Sequence, residues 1–571
     1  MRRRGFRSLP FIAALSLFST CQSAPPSPSA PRRVVLLSLD GAGADELRRL
    51  WRQGVLSEGG FARFFRDGQV AERLVNVNPT LTAPNHISLA TGYPPDRTGI
   101  VGNTIQLPGA PFTRTVRGFD HTIETETLWE AARRQGKRVA VTTFPGADNK
   151  NERRRADWGM VYVNDPGRPA QLVTLDQRQW SSAGDAGMRV RLELSRGRPE
   201  AQTFHVRVTS GGTLTIQGRP LALNAWREIP CRLHGREAVC PVKLLEASPD
   251  LRRVRIYFNG VYPLEAYPAD FAADLARREL YWPGEPDDEN EIDLATWTEQ
   301  AERFARFFGD SLLAASERPG WDLLMGYIPV IDEADHELTL VDPRQPGFSP
   351  QRRAQLERAR HRVWKAVDRE LARLLGSLDL ESTVVVVVSD HGMAPIHTAI
   401  DPNVLLRREG LLAADAGGNV LAKGTVAHAV GSGGISHVWV APGRRALLPR
   451  LRELFAGWTV DGERPVERIV AREEAADLQL NHPNSGDLIL IVRPGFSAHG
   501  GLLDEDVPAA PTTVYGMHGY LNTQPAMHGI FLSLGGGVSK GSTGPVRTTE
   551  VAGRVAGWLG IEKPRPRPVV D

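Results

Sequence analysis

Two short runs of this chain bring together side chains that could do chemistry. Ser389-Asp390-His391-Gly392-Met393 follows five consecutive valines, and Pro79-Thr80-Leu81-Thr82-Ala83-Pro84-Asn85-His86 lies near the start. A carboxylate and an imidazole at the end of an apolar run are metal-ligand types, and a hydroxyl nearby supplies a nucleophile that a metal can activate. The pairing reads as a metal-dependent hydrolase. Asp332-Glu333-Ala334-Asp335-His336 places a carboxylate and an imidazole four residues apart, on one side of a turn or short helix. Tyr515-Gly516-Met517-His518-Gly519-Tyr520 flanks a histidine with glycines, which permit close backbone approach. Singly, each has a plain reading: an Asp after a strand caps a helix or turn, Asp332 and His336 form a surface ion pair, and His518 is a hydrogen-bonded loop histidine.

The elements that must position these residues alternate between strand and helix patterns. Val34 to Leu39, Val139 to Phe144, Leu323 to Ile328, Thr383 to Val388, Asp487 to Val492 and Ile530 to Leu534 are short apolar runs of strand length. Asp45 to Trp51, Thr127 to Arg134, Gln351 to Leu375 and Thr548 to Leu559 have helical spacing. This alternation predicts an α/β fold, a mostly parallel sheet sandwiched by helices. In such sheets ligands bind beyond the carboxyl ends of the strands, where Asp40, Asp332, Asp390 and His391 all fall. Val190 to Leu194, Phe204 to Val208, Thr213 to Ile216 and Val254 to Phe258 have a different, alternating texture. The expected division is a leader and tether at 1–31, a catalytic domain in two parts at 32–166 and 288–565, and a β-rich inserted domain at 167–287.

The 571 residues, 41% hydrophobic and 24% charged, have the composition of a globular protein. The formal charge of +3 includes Arg2, Arg3, Arg4 and Arg7, and without that segment it becomes 3 − 4 = −1, so no basic nucleic-acid surface is implied. The apolar stretch Leu9 to Phe18 behind those arginines has the length of a signal-peptide core, which predicts export. Periplasmic, lipid-anchored and secreted destinations all stay open, as does the choice between the general and twin-arginine routes. Cys21 stands where a bacterial lipoprotein carries its acylated cysteine, and Gln22 to Pro31 reads as a solvated Ser/Pro-rich tether. In an oxidising compartment Cys231 and Cys240, which close a short loop, are expected to form a disulfide.

Taken in order, Leu39-Asp40-Gly41, Pro79 to His86, Ala90 to Pro94, Gly99 to Asn103, Thr143 to Gly146, Asp332 with His336, Ser389 to Met393 and His518 to Asn522 resemble a known family. It is the nucleotide pyrophosphatase/phosphodiesterase branch of the alkaline phosphatase superfamily, and the match covers both flanks of the insertion. The resemblance implies an alkaline-phosphatase-like fold and two zinc ions. One ion would be held by Asp332, His336 and His518, the other by Asp40, Asp390 and His391 with Thr82 as a nucleophilic ligand. Thr82 would then form a phospho-threonine intermediate, and Asn103 would donate to a phosphoryl oxygen. A small phosphate ester or pyrophosphate is the implied substrate.

Two positions depart from the family pattern. Nucleotide-specific relatives place an aromatic after the nucleophile to stack on the base, and here that position is Ala83; Tyr162 lines up with the opposite stacking face. Leu521 stands where relatives often carry an acid. The run Lys150 to Arg155 reads either as a solvated loop or as a reach toward extra substrate charge, which would favour monoesters. His86, His397, His428 and His437 are left as supporting or structural residues. A phosphomonoesterase on the same fold is the alternative activity, and a non-catalytic surface binding protein is the alternative from another class. A sulfatase is disfavoured because Thr82 lacks the Cys-x-Pro-x-Arg context of that branch.

Overall fold

A computed structural model describes residues 33–567 apart from 164–168, 177, 183–187, 195–201, 234–235, 287–291 and 501–506. The leader, Cys21 and the tether therefore lie outside the described residues. Eleven elements frame the site: β1 (Arg33–Leu39), α1 (Thr82–Thr91), β2 (Val139–Thr142), β3 (Trp158–Met160), α2 (Leu294–Glu317), β4 (Leu323–Ile328), α3 (Val330–Leu338), α4 (Pro350–Ser377), β5 (Thr383–Val388), β6 (Phe531–Gly535) and α5 (Thr548–Leu559).

The central sheet has nine strands in the order Ala266–Tyr267, β3, β2, β4, β1, β5, β6, Gln69–Ala71, Gly541–Thr543. The five strands from β3 to β5 run parallel, with Ser38 of β1 opposite Tyr327 of β4 on one side and Val388 of β5 on the other. β6 runs antiparallel to β5. Period-2 alternation sends Val35, Leu37, Val385 and Val387 to the face covered by α2 and α4, and Val34, Leu36, Val384, Val386 and Val388 to the face covered by α1 and α5. Every valine of β5 is 0% exposed. Burying each one stabilises by roughly 1.5–3 kcal/mol relative to exposure, which is why a run without polar interruptions forms this strand. Helix boundaries obey local chemistry: the Ser349 hydroxyl caps α4 through the Arg352 N–H, with Pro350 at its first position, and Thr127 with Glu130 forms a capping box before Leu128–Arg134.

Between residues 171 and 258 the strands form two antiparallel sheets, of five and four strands, around their own core of Phe204, Ile229, Val242, Ile256 and Phe258 among others. Lys243 of this region, 2% exposed, reaches Glu299 of α2 at 2.7 Å and Thr296 at 3.0 Å. Two expectations need correction. Leu488–Val492 joins a separate four-stranded antiparallel sheet with its own core, because a short apolar run fits either kind of sheet. Cys231 and Cys240 are not joined in a disulfide. Cys231 faces Ala238 and Cys240 faces Ile229, so the two thiols are diagonal rather than opposite. Diagonal neighbours lie about 7–8 Å apart, beyond the Cβ separation of about 3.5–4.5 Å that a disulfide needs.

Candidate metal centre and nucleophile

β4, β1 and β5 are parallel neighbours, so the segments beyond their carboxyl ends meet in one place. Asp40 follows β1, and its backbone N–H donates to the Ile328 carbonyl at 3.0 Å. Gly41 then turns with φ 69°, a left-handed conformation, and a Cβ there would sit 2.9 Å from the Asp332 Cα, so only glycine fits. The Gly41 N–H donates to Asp390 Oδ1 at 3.3 Å. Past β5, the Ser389 hydroxyl donates to the Ala42 carbonyl at 2.7 Å and accepts from the Ile530 N–H at 2.9 Å, which fixes the turn presenting Asp390 and His391. α3 begins just after β4 and carries Asp332 and His336 one turn apart on one face. His518 sits in a loop that Gly519, at φ 90°, bends back toward Thr80.

These residues assemble into two groups, Asp332, His336 and His518 and then Asp40, Asp390 and His391, each with its ligand atoms within 4.8 Å of one another. His336 Nε2 is 3.3 Å from Asp332 Oδ2, and His391 Nε2 is 3.3 Å from Asp40 Oδ1 and 3.1 Å from Asp390 Oδ2. The His391 and His518 rings stack at 3.6 Å and join the groups. All three histidines bond a backbone carbonyl through Nδ1: His336 to Gly516 at 2.8 Å, His391 to Gly392 at 3.0 Å and His518 to Thr80 at 3.1 Å. A carbonyl only accepts, so Nδ1 holds the hydrogen and Nε2 offers its lone pair to the centre.

Asp40 Oδ1, Asp332 Oδ1, Asp390 Oδ2 and His391 Nε2 are buried without a hydrogen-bond partner. Four orphaned ligand-type atoms, three in the Asp40 group and one in the adjoining group, are costly unless a cation satisfies them, and oxygen with imidazole nitrogen suits zinc or a similar divalent ion. The titration of these groups follows their burial and their mutual charges. Burial first, then the charges of Asp390 and Asp332, pushes the Asp40 carboxyl well above the usual range. Burial also acts on Asp332, but the His336 charge beside it wins and holds it low. Burial drives His518 down to about 3, whereas His336 and His391 are raised, their burial being outweighed by the charges of Asp332 and Asp390, so a metal would displace a proton from each of those two rings.

Thr82 is the first residue of α1, preceded by Leu81 in extended conformation, and is 8% exposed. Asn85 stitches the approach to it, accepting from the Val77 N–H at 2.8 Å and donating to the carbonyls of Pro79 and Leu81 at 3.0 Å each. Asn103 Oδ1 accepts from the Ala83 N–H at 2.8 Å, which turns its amide NH2 away from that peptide. The helix N-terminus adds a partial positive charge favourable to an anion at Thr82.

Other expected residues fall less simply. Ala83 is 0% exposed, covered by the hairpin that returns at Gly118, where a Cβ would lie 3.1 Å from the Ala83 Cβ. No ligand ring can stack on it. Tyr162 stacks on Phe308 at 6.2 Å, meets Trp282 and Tyr327 edge-on, and donates its hydroxyl to Glu285 at 2.9 Å. Leu521 packs partly buried beside the cluster around Leu81. In the basic run, Arg154 is 6% exposed and donates to the Gly146 carbonyl at 3.1 Å and to those of Phe119 and His121, while Lys150 pairs with Asp120. Those charges are engaged locally. Sequence reasoning passed over Tyr327, whose buried hydroxyl donates to Asp40 Oδ2, and Ser38, because both occupy ordinary core positions of strands.

Residues 34–521 match the pattern of the family described as type I phosphodiesterase / nucleotide pyrophosphatase. The chain belongs to this family. Bis(5'-adenosyl)-triphosphatase enpp4 of Xenopus laevis is 30% identical over 141 residues, 24% of this chain and 29% of that protein. An uncharacterized pyrophosphatase/phosphodiesterase of Schizosaccharomyces pombe is 33% identical over 130 residues, 21% of this chain and 24% of that one. The matched stretch thus spans less than a third of either curated relative. Human ectonucleotide pyrophosphatase / phosphodiesterase 5 superposes with a TM-score of 0.50 at 14% identity, covering 94% of this chain and 97% of that one. That likeness shows the alkaline-phosphatase-like fold expected from the sequence.

Proposed function

We propose that this family member is a zinc-dependent phosphodiesterase or pyrophosphatase in which Thr82 attacks phosphorus. The observation that carries the reading is the set of four orphaned, buried ligand atoms near the Thr82 turn, whose carbonyl bonds the His86 ring that lies 3.4 Å from Asp390. Asp332, His336 and His518 would hold one zinc ion, and Asp40, Asp390 and His391 with Thr82 the other. When bound, such a pair supplies positive charge that lowers the pKa of a ligated hydroxyl, as zinc takes water from about 15.7 to about 7, and offsets charge on the phosphoryl group.

The chain's own residues do the rest. Thr82 Oγ loses its proton to solvent and forms a bond to phosphorus as the ester oxygen departs with its electron pair and is protonated. The Asn103 amide donates to a nonbridging oxygen while its Oδ1 stays on the Ala83 N–H. The Nδ1 anchors of His336, His391 and His518 hold the ligand rings still during the displacement. Water then attacks the phospho-threonine, the bond from phosphorus to Thr82 breaks, and two in-line displacements give net retention at phosphorus.

The enpp4 relative is named for a dinucleoside triphosphate, whereas the buried Ala83 and the engaged Tyr162 argue against a stacked base as the chief recognition element here. The arginine-led apolar leader supports export, and Cys21 is the proposed acylation point if the chain is membrane-anchored. Among the described residues no helix is long and apolar enough to cross a membrane. Thr82→Ala should abolish hydrolysis of bis(4-nitrophenyl) phosphate while metal content stays at the wild-type level. Retained activity overturns the nucleophile, and a strong preference for 4-nitrophenyl phosphate overturns the diesterase reading in favour of a monoesterase.

A further inference from the structure

His86 touches both the nucleophile's turn and a proposed ligand, yet holds no place in either ligand group. Its ring is 0% exposed. Nδ1 lies 2.9 Å from the Thr82 carbonyl oxygen and 3.4 Å from Asp390 Oδ2, and Nε2 lies 2.9 Å from the Ser38 hydroxyl. The carbonyl can only accept, so Nδ1 donates to it, and Nε2 accepts from Ser38. Phe144 at 5.3 Å and Tyr327 at 5.1 Å meet the ring edge-on and fix its plane.

The peptide between Thr82 and Ala83 is consequently gripped at both polar ends. His86 holds its carbonyl and Asn103 holds its N–H at 2.8 Å. A peptide unit is planar, so fixing both ends fixes the backbone on the carboxyl side of Thr82, including the Cα from which the hydroxyl-bearing side chain springs. The far side of the ring is tied to Ser38, two residues before Asp40, and Tyr327 bonds Asp40 directly.

We propose that His86 is a positioning residue for the reaction inferred above, on which this proposal rests: it bonds the Thr82 turn to Ser38, and so to the strand that leads into Asp40, while its ring lies against Asp390. Hydroxyl and ligand carboxylates then keep one spacing through both displacements. Ser38, His86 and Asp390 have the residue types of a hydrolytic triad, but Ser38 is 0% exposed and no substrate reaches it. The row is an internal brace. A misplacement of about 1 Å is worth about 10²-fold in rate, which sets the expected effect.

His86→Asn retains an amide N–H near the Nδ1 position, His86→Gln moves it to the Nε2 end, and His86→Ala removes both. With bis(4-nitrophenyl) phosphate and matched metal content, His86→Ala should lower kcat about 10²-fold with KM within about threefold of wild type. His86→Asn should recover most of that loss, and His86→Gln little of it. Hydrogen exchange of the segment 82–91, read by mass spectrometry on metal-free and loaded protein, should quicken in His86→Ala and return toward wild type in His86→Asn. The proposal is overturned if His86→Ala keeps kcat within about threefold of wild type, or if the Asn and Gln variants are equally impaired with unchanged exchange. Should His86→Ala not fold, the Asn and Gln pair decides alone. Should the wild type hydrolyse no ester, the proposed function falls, while the exchange comparison still tests the brace.

Discussion

The side chains of Asp40, Asp390 and His391 are 2%, 0% and 0% exposed, whereas those of Asp332, His336 and His518 are 13%, 20% and 7% exposed. The first group hangs from β1 and β5, neighbouring strands in the middle of the sheet. The second hangs from a nine-residue helix and a glycine-flanked loop at its rim. The buried group sets two sealed carboxylates, Asp40 and Asp390, against the single histidine His391, and burial with the Asp390 charge raises the Asp40 carboxyl. The rim group has the opposite balance, one carboxylate to two histidines, with His336 next to Asp332. Of two proposed metal positions, one is built into the core and the other is held against it.

Four experiments put that contrast at risk. The largest effect is expected from Asp390→Ala, which leaves His391 without its closest carboxylate: turnover should vanish and stability fall by about 3–5 kcal/mol in denaturant melts. The matching His336→Ala should also stop turnover but cost clearly less stability. Equal costs would erase the distinction. Next, Arg360 holds α3 in place, bonding Asp335 Oδ2 and Glu46 Oε1 at 2.6 Å each. Arg360→Met should weaken metal binding at the rim group by about 10–100-fold in chelator competition, with the buried group little changed.

Dialysis of the wild type against a chelator should then release metal in two phases, with the fast phase missing from His336→Ala. A single phase in both proteins would refute the contrast. The smallest effect concerns pH in metal-free protein. Burial alone would lower His336, but the neighbouring Asp332 charge raises it to about 10. A raised folded pKa contributes stability fully below about 6.5 and loses it as pH climbs through about 10. The melting temperature of the metal-free protein should decline across that window, and His336→Gln should flatten the decline.

Much of the candidate site was legible because the candidate ligands come in contiguous, chemically unusual runs. Asp390 and His391 come one residue after a run of valines long and apolar enough to demand a buried strand, and Asp332 with His336 has helical spacing. Less legible were residues whose types are common in cores. Tyr327 and Ser38 sit at alternating strand positions where period-2 reasoning counts them as packing, yet their hydroxyls serve Asp40 and His86. Ala83 read as a missing stacking ring, and only the hairpin lying over it shows that the position is closed. Leu488–Val492 was apolar enough for the parallel sheet but pairs elsewhere, since side-chain polarity does not encode a strand's partners. For Cys231 and Cys240 closeness in sequence promised a bond that a two-residue diagonal in register denies.

The ordered motifs carried the resemblance to the family, and residue identity with local periodicity gave the strand before Asp390 and His391 and the types of atom offered to a metal. Three-dimensional packing alone settled which candidate ligands are buried, which carbonyls orient the histidines, and that one buried imidazole joins the Thr82 turn to Ser38. Burial and hydrogen-bond partnership depend on contacts between segments up to several hundred residues apart, and no local pattern records them.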